Sequence, residues 1–154
     1  MPINRGKQFE LKFKEDFSKL QDNSIDRLYD VMNGYKNIKQ VADFIGYLYP
    51  NIFYLEIKSH AGASIPFANI TQYDNLNKKV GIKGVRSGIV LWLYDKDKVY
   101  YIPTSTITQM KNDGEKSVGI RHINKYRMIE IPSIKKRVFM DSDYSILKTL
   151  NEGE

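Results

Sequence analysis

Cysteine is absent from the chain, which excludes a disulfide framework, thiolate zinc ligation and cysteine nucleophiles together. Histidine occurs twice, at His60 and His122, and neither has a second histidine at the spacing of a zinc-binding pair. Nothing approaches the run of about 18 apolar residues that a membrane span requires. The opening MPINRGKQFE lacks the apolar stretch of a secretion signal, so a reducing cytoplasm is the expected location. A Gly-x-x-x-x-Gly-Lys loop is missing, and with it any sign of a nucleotide cofactor. Internal repeats and low-complexity linkers are missing too, so a single domain is expected over residues 1–154.

What is present suits a folded domain. A chain of 154 residues buries about 70% of its unfolded surface and needs no covalent staple. Hydrophobic residues make up 42% and aromatics 12%, too many for a disordered tail. Lysine and arginine total 24 against 18 acidic residues, a formal charge of +6. That balance favours a polyanionic partner, nucleic acid before an anionic membrane surface. A merely solvated lysine-rich surface gives the same balance, so local constellations must decide.

Phe9, Phe13, Phe17 and Leu20 form one apolar stripe, which predicts a helix over residues 5–20. Residues 25–32 read as a strand, Asn33-Gly34 as a hairpin turn, residues 41–48 as a second strand and 52–59 as a third, after a turn at Pro50-Asn51. Ile70, Tyr73, Leu76 and Val80 predict a helix over 68–80. The apolar run from Gly88 to Tyr94 has the character of a central strand buried on both faces. Residues 99–102 return as the next strand, Thr104 or Ser105 caps a helix reaching Lys111, residues 128–131 are extended, and 143–150 close as a helix. This order gives an α/β (α+β) class, a central mixed β-sheet flanked by helices.

Glu56 and Lys58 share one face of the third strand because residues two apart point the same way. A hairpin turning near Pro50-Asn51 carries Asp43 toward Glu56. Two adjacent carboxylates repel unless a proton or a cation neutralises them. A hard, oxygen-preferring ion such as Mg²⁺ is a natural partner for such a pair. The competing reading is a plain ion pair between Glu56 and Lys58 on an exposed sheet face.

The wider setting of these residues resembles a known family. Asn4-Arg5-Gly6 with Phe9-Glu10, then Asp43 with Gly46, then Tyr54-Leu55-Glu56-Ile57-Lys58 follow in its order. Ser64-Ile65-Pro66-Phe67, Asn69-Ile70, Gln72 and Leu76 come next, before Gly88-Ile89-Val90 and Val99-Tyr100-Tyr101-Ile102-Pro103. This pattern resembles the RecU-type Holliday-junction resolvases and their phage relatives, within the PD-(D/E)XK nuclease superfamily, over roughly residues 3–110. Two positions depart from it. Ala42 replaces the proline that names the superfamily, and only a stub, Gly34 to Gln40, corresponds to the projecting stalk of RecU proteins.

The resemblance implies a restriction-endonuclease-like nuclease fold and an Mg²⁺-dependent (or Mn²⁺-dependent) endodeoxyribonuclease that resolves four-way DNA junctions as a homodimer. It implies Asp43 and Glu56 as metal ligands helped by the Ile57 carbonyl, Glu10 as a further acid, Lys58 as the catalytic lysine and Gln72 at the site's edge. Lys78, Lys79, Lys83 and Arg86 cluster in the sequence, Arg5 and Lys7 adjoin Glu10, and Tyr35 and Lys36 lie in the stub. These eight are the candidate DNA contacts, while Trp92 and the tyrosines at 94, 100 and 101 are assigned to the core. Two rivals remain at this point: a duplex-cleaving nuclease of the same superfamily, and a non-catalytic DNA-binding module.

Overall fold

The computed structural model describes residues 4–29, 31–33, 36–38 and 40–150, with 31–33 and 36–38 described by their backbone alone. The first helix, α1 (Arg5–Ser18), starts where Asn4 Oδ1 accepts the Lys7 N–H at 3.1 Å, an N-cap that satisfies one of the orphan donors. Its Phe9, Phe13 and Phe17 are buried, as their spacing requires.

Next come β1 (Asn23–Arg27), β2 (Val31–Asn33), β3 (Lys36–Ile38), β4 (Phe44–Leu48) and β5 (Asn51–His60). The predicted strand over 25–32 is therefore divided. Its first part joins the main sheet, and its last part pairs with β3 as a separate hairpin, Asn33 opposite Lys36. The second strand begins at Phe44, not at Val41, so Asp43 immediately precedes it.

The segment from 64 to 77 holds β6 (Ser64–Pro66), a 3₁₀ turn (Phe67–Asn69) and a short helix α2 (Tyr73–Asn77). The helix expected over 68–80 is thus confined to five residues. Ile70 closes the preceding turn through its N–H to Phe67 O at 2.9 Å, and the chain has to bend again at Gln72 before α2 can start.

The chain continues through β7 (Val85–Leu93), β8 (Lys98–Pro103), α3 (Thr104–Asn112), β9 (Ser117–Gly119), β10 (Ile129–Glu130), β11 (Ser133–Lys135) and β12 (Met140–Ser142). The Thr104 hydroxyl does not cap α3. Pro103 occupies the cap position, and the buried Thr104 Oγ1 lies 2.9 Å from Ser87 Oγ. Residues 144–149 coil as 3₁₀ rather than α, with Asp143 Oδ1 accepting the Ser145 N–H at 3.0 Å.

Six strands form the main sheet in the order β1-β4-β5-β7-β8-β10, mixed because β5 and β7 run parallel and the other pairs antiparallel. Helix α1 covers one face, packing Phe9, Phe13 and Phe17 with Phe53, Leu55, Ile57 and Trp92. Ile89, Leu91, Tyr100 and Ile102 line the other face beneath Leu76 of α2 and Ile107 and Met110 of α3. Strand β7 is buried on both sides, as its continuous apolar run predicts. Trp92, Tyr100 and Tyr101 are core residues, and Tyr94 is half-buried.

Strands β4 and β5 end unevenly. Their pairing stops at Phe44 opposite Leu55, whereas β5 continues to His60 alongside β7 alone. The last stretch of β5 therefore has one open edge.

Gly88 of β7 lies directly opposite Pro103 of β8. A methyl group there would lie 2.5 Å from the Tyr101 ring and 2.8 Å from the Ile102 carbonyl oxygen. Gly88→Ala is expected to lower the unfolding free energy by about 1–3 kcal/mol, the usual cost of overpacking. Urea denaturation measures it, and an unchanged midpoint would show that the sheet yields there without cost.

Candidate active site

The open edge of β5 is where the predicted residues meet. The Asp43 backbone continues the β4 pairing by one bond, its N–H donating to Leu55 O at 2.9 Å. Beyond that the side chain takes over: Asp43 Oδ2 accepts the Ile57 N–H at 2.8 Å. In an extended strand the N–H and C=O of one residue point to the same side. The Ile57 carbonyl therefore faces the same edge as its N–H, past the end of β4.

Glu56 points to the opposite sheet face from Ile57, toward the loop before α2, and is only 1% exposed. Its Oε1 accepts the Gln72 N–H at 2.9 Å and the Thr71 hydroxyl at 3.3 Å. Its Oε2 is buried and meets no donor among the described residues. Burial pushes its carboxyl up to about 7, with Asp43 adding to the rise and the Gln72 N–H, Lys58 and Thr71 opposing it. Lys58 is half-buried on the same strand face.

Glu10 reaches the cluster from α1. Its Oε2 accepts from Arg27 Nε at 3.0 Å. Burial raises its carboxyl above the ordinary range, Arg27 and Lys58 oppose this, and the Asp43 charge reinforces it. Glu10, Asp43, Glu56, Ile57, Lys58 and Gln72 are thus brought together; strand pairing predicts the approach of Asp43 to Glu56 and Lys58, and the resemblance implies the others. Gln72 touches Glu56 through its backbone, and its side-chain oxygen is buried without a partner among the described residues.

Two residues of the cluster were not singled out from the sequence. Thr71 is one, and its only sequence signal is adjacency to Gln72. Arg27 is the other: Nη1 donates to the Asp43 carbonyl at 3.0 Å and also to the Leu28 carbonyl, while Nε holds Glu10. Nothing in the spacing of the chain marks it.

The candidate DNA contacts divide. Arg5 is exposed, with its guanidinium carbon 4.5 Å from the centre of the Tyr94 ring, and Lys7 is exposed on the same first turn. Lys79 Nζ lies 4.9 Å from the centre of the Tyr54 ring, and Tyr54 shares the strand face of Glu56 one pleat away, about 7 Å. Lys78 is exposed beside it. Lys83 is exposed but precedes β7, near Ile52 at the far end of β5. Arg86 corrects the expectation. It is 6% exposed, and its Nη2 donates to the Leu150 carbonyl at 3.3 Å; its burial keeps it from a DNA backbone. Tyr35 and the Lys36 side chain lie outside the described residues.

No group of three or more acidic, histidine or cysteine side chains among the described residues is arranged to hold a metal. Asp43, Glu56 and the Ile57 carbonyl form a smaller set, all of hard oxygens. One or two carboxylates with retained waters is the usual protein share of a Mg²⁺ site. The unsatisfied Glu56 Oε2 fits a cation better than it fits an apolar pocket.

Comparison with known proteins bears on the fold and the family. The fold is similar to that of Hjc from Archaeoglobus fulgidus, described as a Holliday junction resolvase from an archaeal hyperthermophile, with a TM-score of 0.56 and 14% identity, over 79% of this chain and 93% of that one. No curated protein matches the sequence. Residues 12–142 match the family Recombination protein U. The chain belongs to the RecU family, within the PD-(D/E)XK nuclease superfamily. That match starts after Glu10 and runs through the tail beyond residue 110, where the sequence resemblance had stopped.

The buried Glu56 sets a pH dependence in metal-free protein. Its folded value of about 7 lies above the ordinary 4.5, so the folded chain holds the proton more tightly than the unfolded one. Its contribution to stability is then present at low pH and is lost as pH rises from about 4.5 through 7, by about 3 kcal/mol at most. Thermal melts in EDTA across that interval should show this loss in the native chain and a flatter profile in Glu56→Gln. Equal profiles would show that Glu56 ionises without cost.

Proposed function

We propose that this RecU-family chain is a divalent-metal-dependent endodeoxyribonuclease that resolves four-way DNA junctions, with Asp43, Glu56 and Lys58 at the cleavage centre. One observation carries the reading: a buried glutamate with one oxygen saturated and the other without a donor among the described residues, beside Asp43 and Lys58. A structural carboxylate so placed costs stability unless something else compensates it.

Asp43, Glu56 and the Ile57 carbonyl would hold the ion, Mg²⁺ or Mn²⁺. Bound there, it supplies a Lewis acid for a phosphate oxygen and lowers the pKa of a coordinated water. The chain's own groups do the rest. Thr71 and the Gln72 N–H fix one Glu56 oxygen, which aims the other. The Ile57 N–H orients Asp43. Lys58, an ammonium that does not ligate, stabilises the charge developing on the phosphoryl oxygens. Arg5, Lys7, Lys78 and Lys79 offer cations to flanking phosphates. Cutting two opposed strands symmetrically requires two such sites, and a twofold homodimer supplies them. No helix among the described residues is long and apolar enough to cross a membrane.

Cleavage of a synthetic four-way junction, set against linear duplex of the same sequence with and without divalent metal, tests the assignment. Asp43→Asn should abolish cutting while junction binding holds or improves, because a negative charge beside phosphate is removed. Lys58→Ala should lower the single-turnover rate by about 10²–10³ at saturating metal, the loss typical of one preorganised charge-stabilising group. Normal cutting by either variant would remove the site assignment, and equal cutting of duplex would favour a duplex nuclease.

Binding should weaken steeply with salt, with a log–log slope of roughly −0.9 per phosphate neutralised. Replacing Lys78 and Lys79 with alanine should reduce that slope by about one to two units, as seen by gel shift across a salt series. An unchanged slope would make these lysines solvated surface only.

A further inference from the structure

Tyr29 has no place in the centre just described, yet it is 71% exposed, more than any other large hydrophobic side chain among the described residues. It lies in the neck between β1 and the β2–β3 hairpin. Its position is fixed rather than loose: Gln40 Nε2 donates to its carbonyl at 2.9 Å, and the preceding Leu28 N–H donates to the Asp43 carbonyl at 2.8 Å. Its ring centre stands 5.2 Å from the Arg27 guanidinium carbon. That same guanidinium bonds Glu10 and the Asp43 carbonyl at 3.0 Å each. A single planar cation therefore separates an exposed aromatic ring from the cleavage centre.

Beyond its contact with Arg27, the fold buries little of this ring. Most of its surface faces water, and its backbone is held by bonds that any residue would make. An exposed π-face backed by an arginine is what an unstacked nucleobase needs, since bases of every kind stack on aromatic rings and arginine adds a cation–π contribution. A linear duplex keeps its bases stacked on one another and offers no such face. A four-way junction interrupts the stack where its strands exchange.

We propose that Tyr29 is a stacking platform for a nucleobase unstacked at the branch point of a four-way junction, held beside the scissile phosphate by Arg27. The proposal rests on the junction-cleaving reading above and adds to it a source of selectivity outside the short hairpin.

Binding in EDTA tests it, with the native chain, Tyr29→Ala and Tyr29→Phe each titrated against a four-way junction and against linear duplex of the same sequence. The junction carries 2-aminopurine at the branch point. Tyr29→Ala should lose about 5- to 150-fold in junction affinity, the worth of one stacked base, with duplex affinity and melting temperature unchanged. The salt slope should also hold, because no charge is removed. Quenching of 2-aminopurine on binding should persist in Tyr29→Phe and vanish in Tyr29→Ala. Undiminished junction binding and quenching by Tyr29→Ala would overturn the platform, as would an equal loss on both DNAs or a Phe variant as weak as the Ala one. Junction cleavage by the native chain with Mg²⁺ keeps the two readings apart. If the native chain cuts junctions and Tyr29→Ala binds like it, only the platform falls. If the native chain neither prefers nor cuts junctions, the function falls and the platform with it.

Discussion

One strand outruns its neighbour, and the site depends on that mismatch. Strand β5 continues for five residues past the end of its pairing with β4. An open β-edge leaves backbone donors and acceptors that must find partners. Here the Asp43 carboxylate takes the Ile57 N–H, so the side chain replaces the missing strand by one bond. That bond fixes a carboxylate against the edge and leaves a main-chain carbonyl facing the same way. A longer β4 would have closed the edge with ordinary pairing and removed both oxygens from use.

The sheet's second face supplies the other half. Glu56 goes under the loop before α2 because residues alternate along β5, with Leu55 and Ile57 toward α1 and Glu56 and Lys58 away from it. Burying a carboxylate is costly without full compensation, and the loop compensates only one of its two oxygens. Glu10 and Arg27 approach from the α1 face. The charge of Lys58 acts on both Glu56 and Glu10. The site thus straddles the sheet edge, with acids arriving from both faces onto one strand.

Much of this was legible in the residues. The Phe9, Phe13 and Phe17 stripe, the double-sided burial of β7 and the approach of Asp43 to Glu56 all follow from periodicity and one tight turn. What was not legible depends on contacts distant in sequence. The helix expected over 68–80 is confined to Tyr73–Asn77 because Thr71 and Gln72 turn their donors toward Glu56, a demand no local propensity records. Arg86 reads like its neighbours Lys79 and Lys83, and only the carbonyl of Leu150 reveals it as buried. Arg27 has no spacing signal at all, because its partners lie on α1 and before β4. The strand boundary at Phe44 rather than Val41 is local, but it is set by where β1 ends opposite Phe44.

The way α1 is held also bears on when during synthesis the enzyme comes into being. Asp16 is buried and accepts the Ser142 N–H at 3.0 Å, Lys12 reaches Asp141 at 2.7 Å, and Phe13 packs edge-on against Tyr144 with ring centres 5.0 Å apart. The helix bearing Glu10 leaves the ribosome well before the residues that clamp it. A nascent chain lacking residues 141–144 has the acidic pair of the sheet but not the clamp that seats the helix. Domains generally fold as units, and here the unit is complete only once residues 141–144 have emerged. A nuclease made this way completes its proposed centre late, once residues 141–144 have clamped α1.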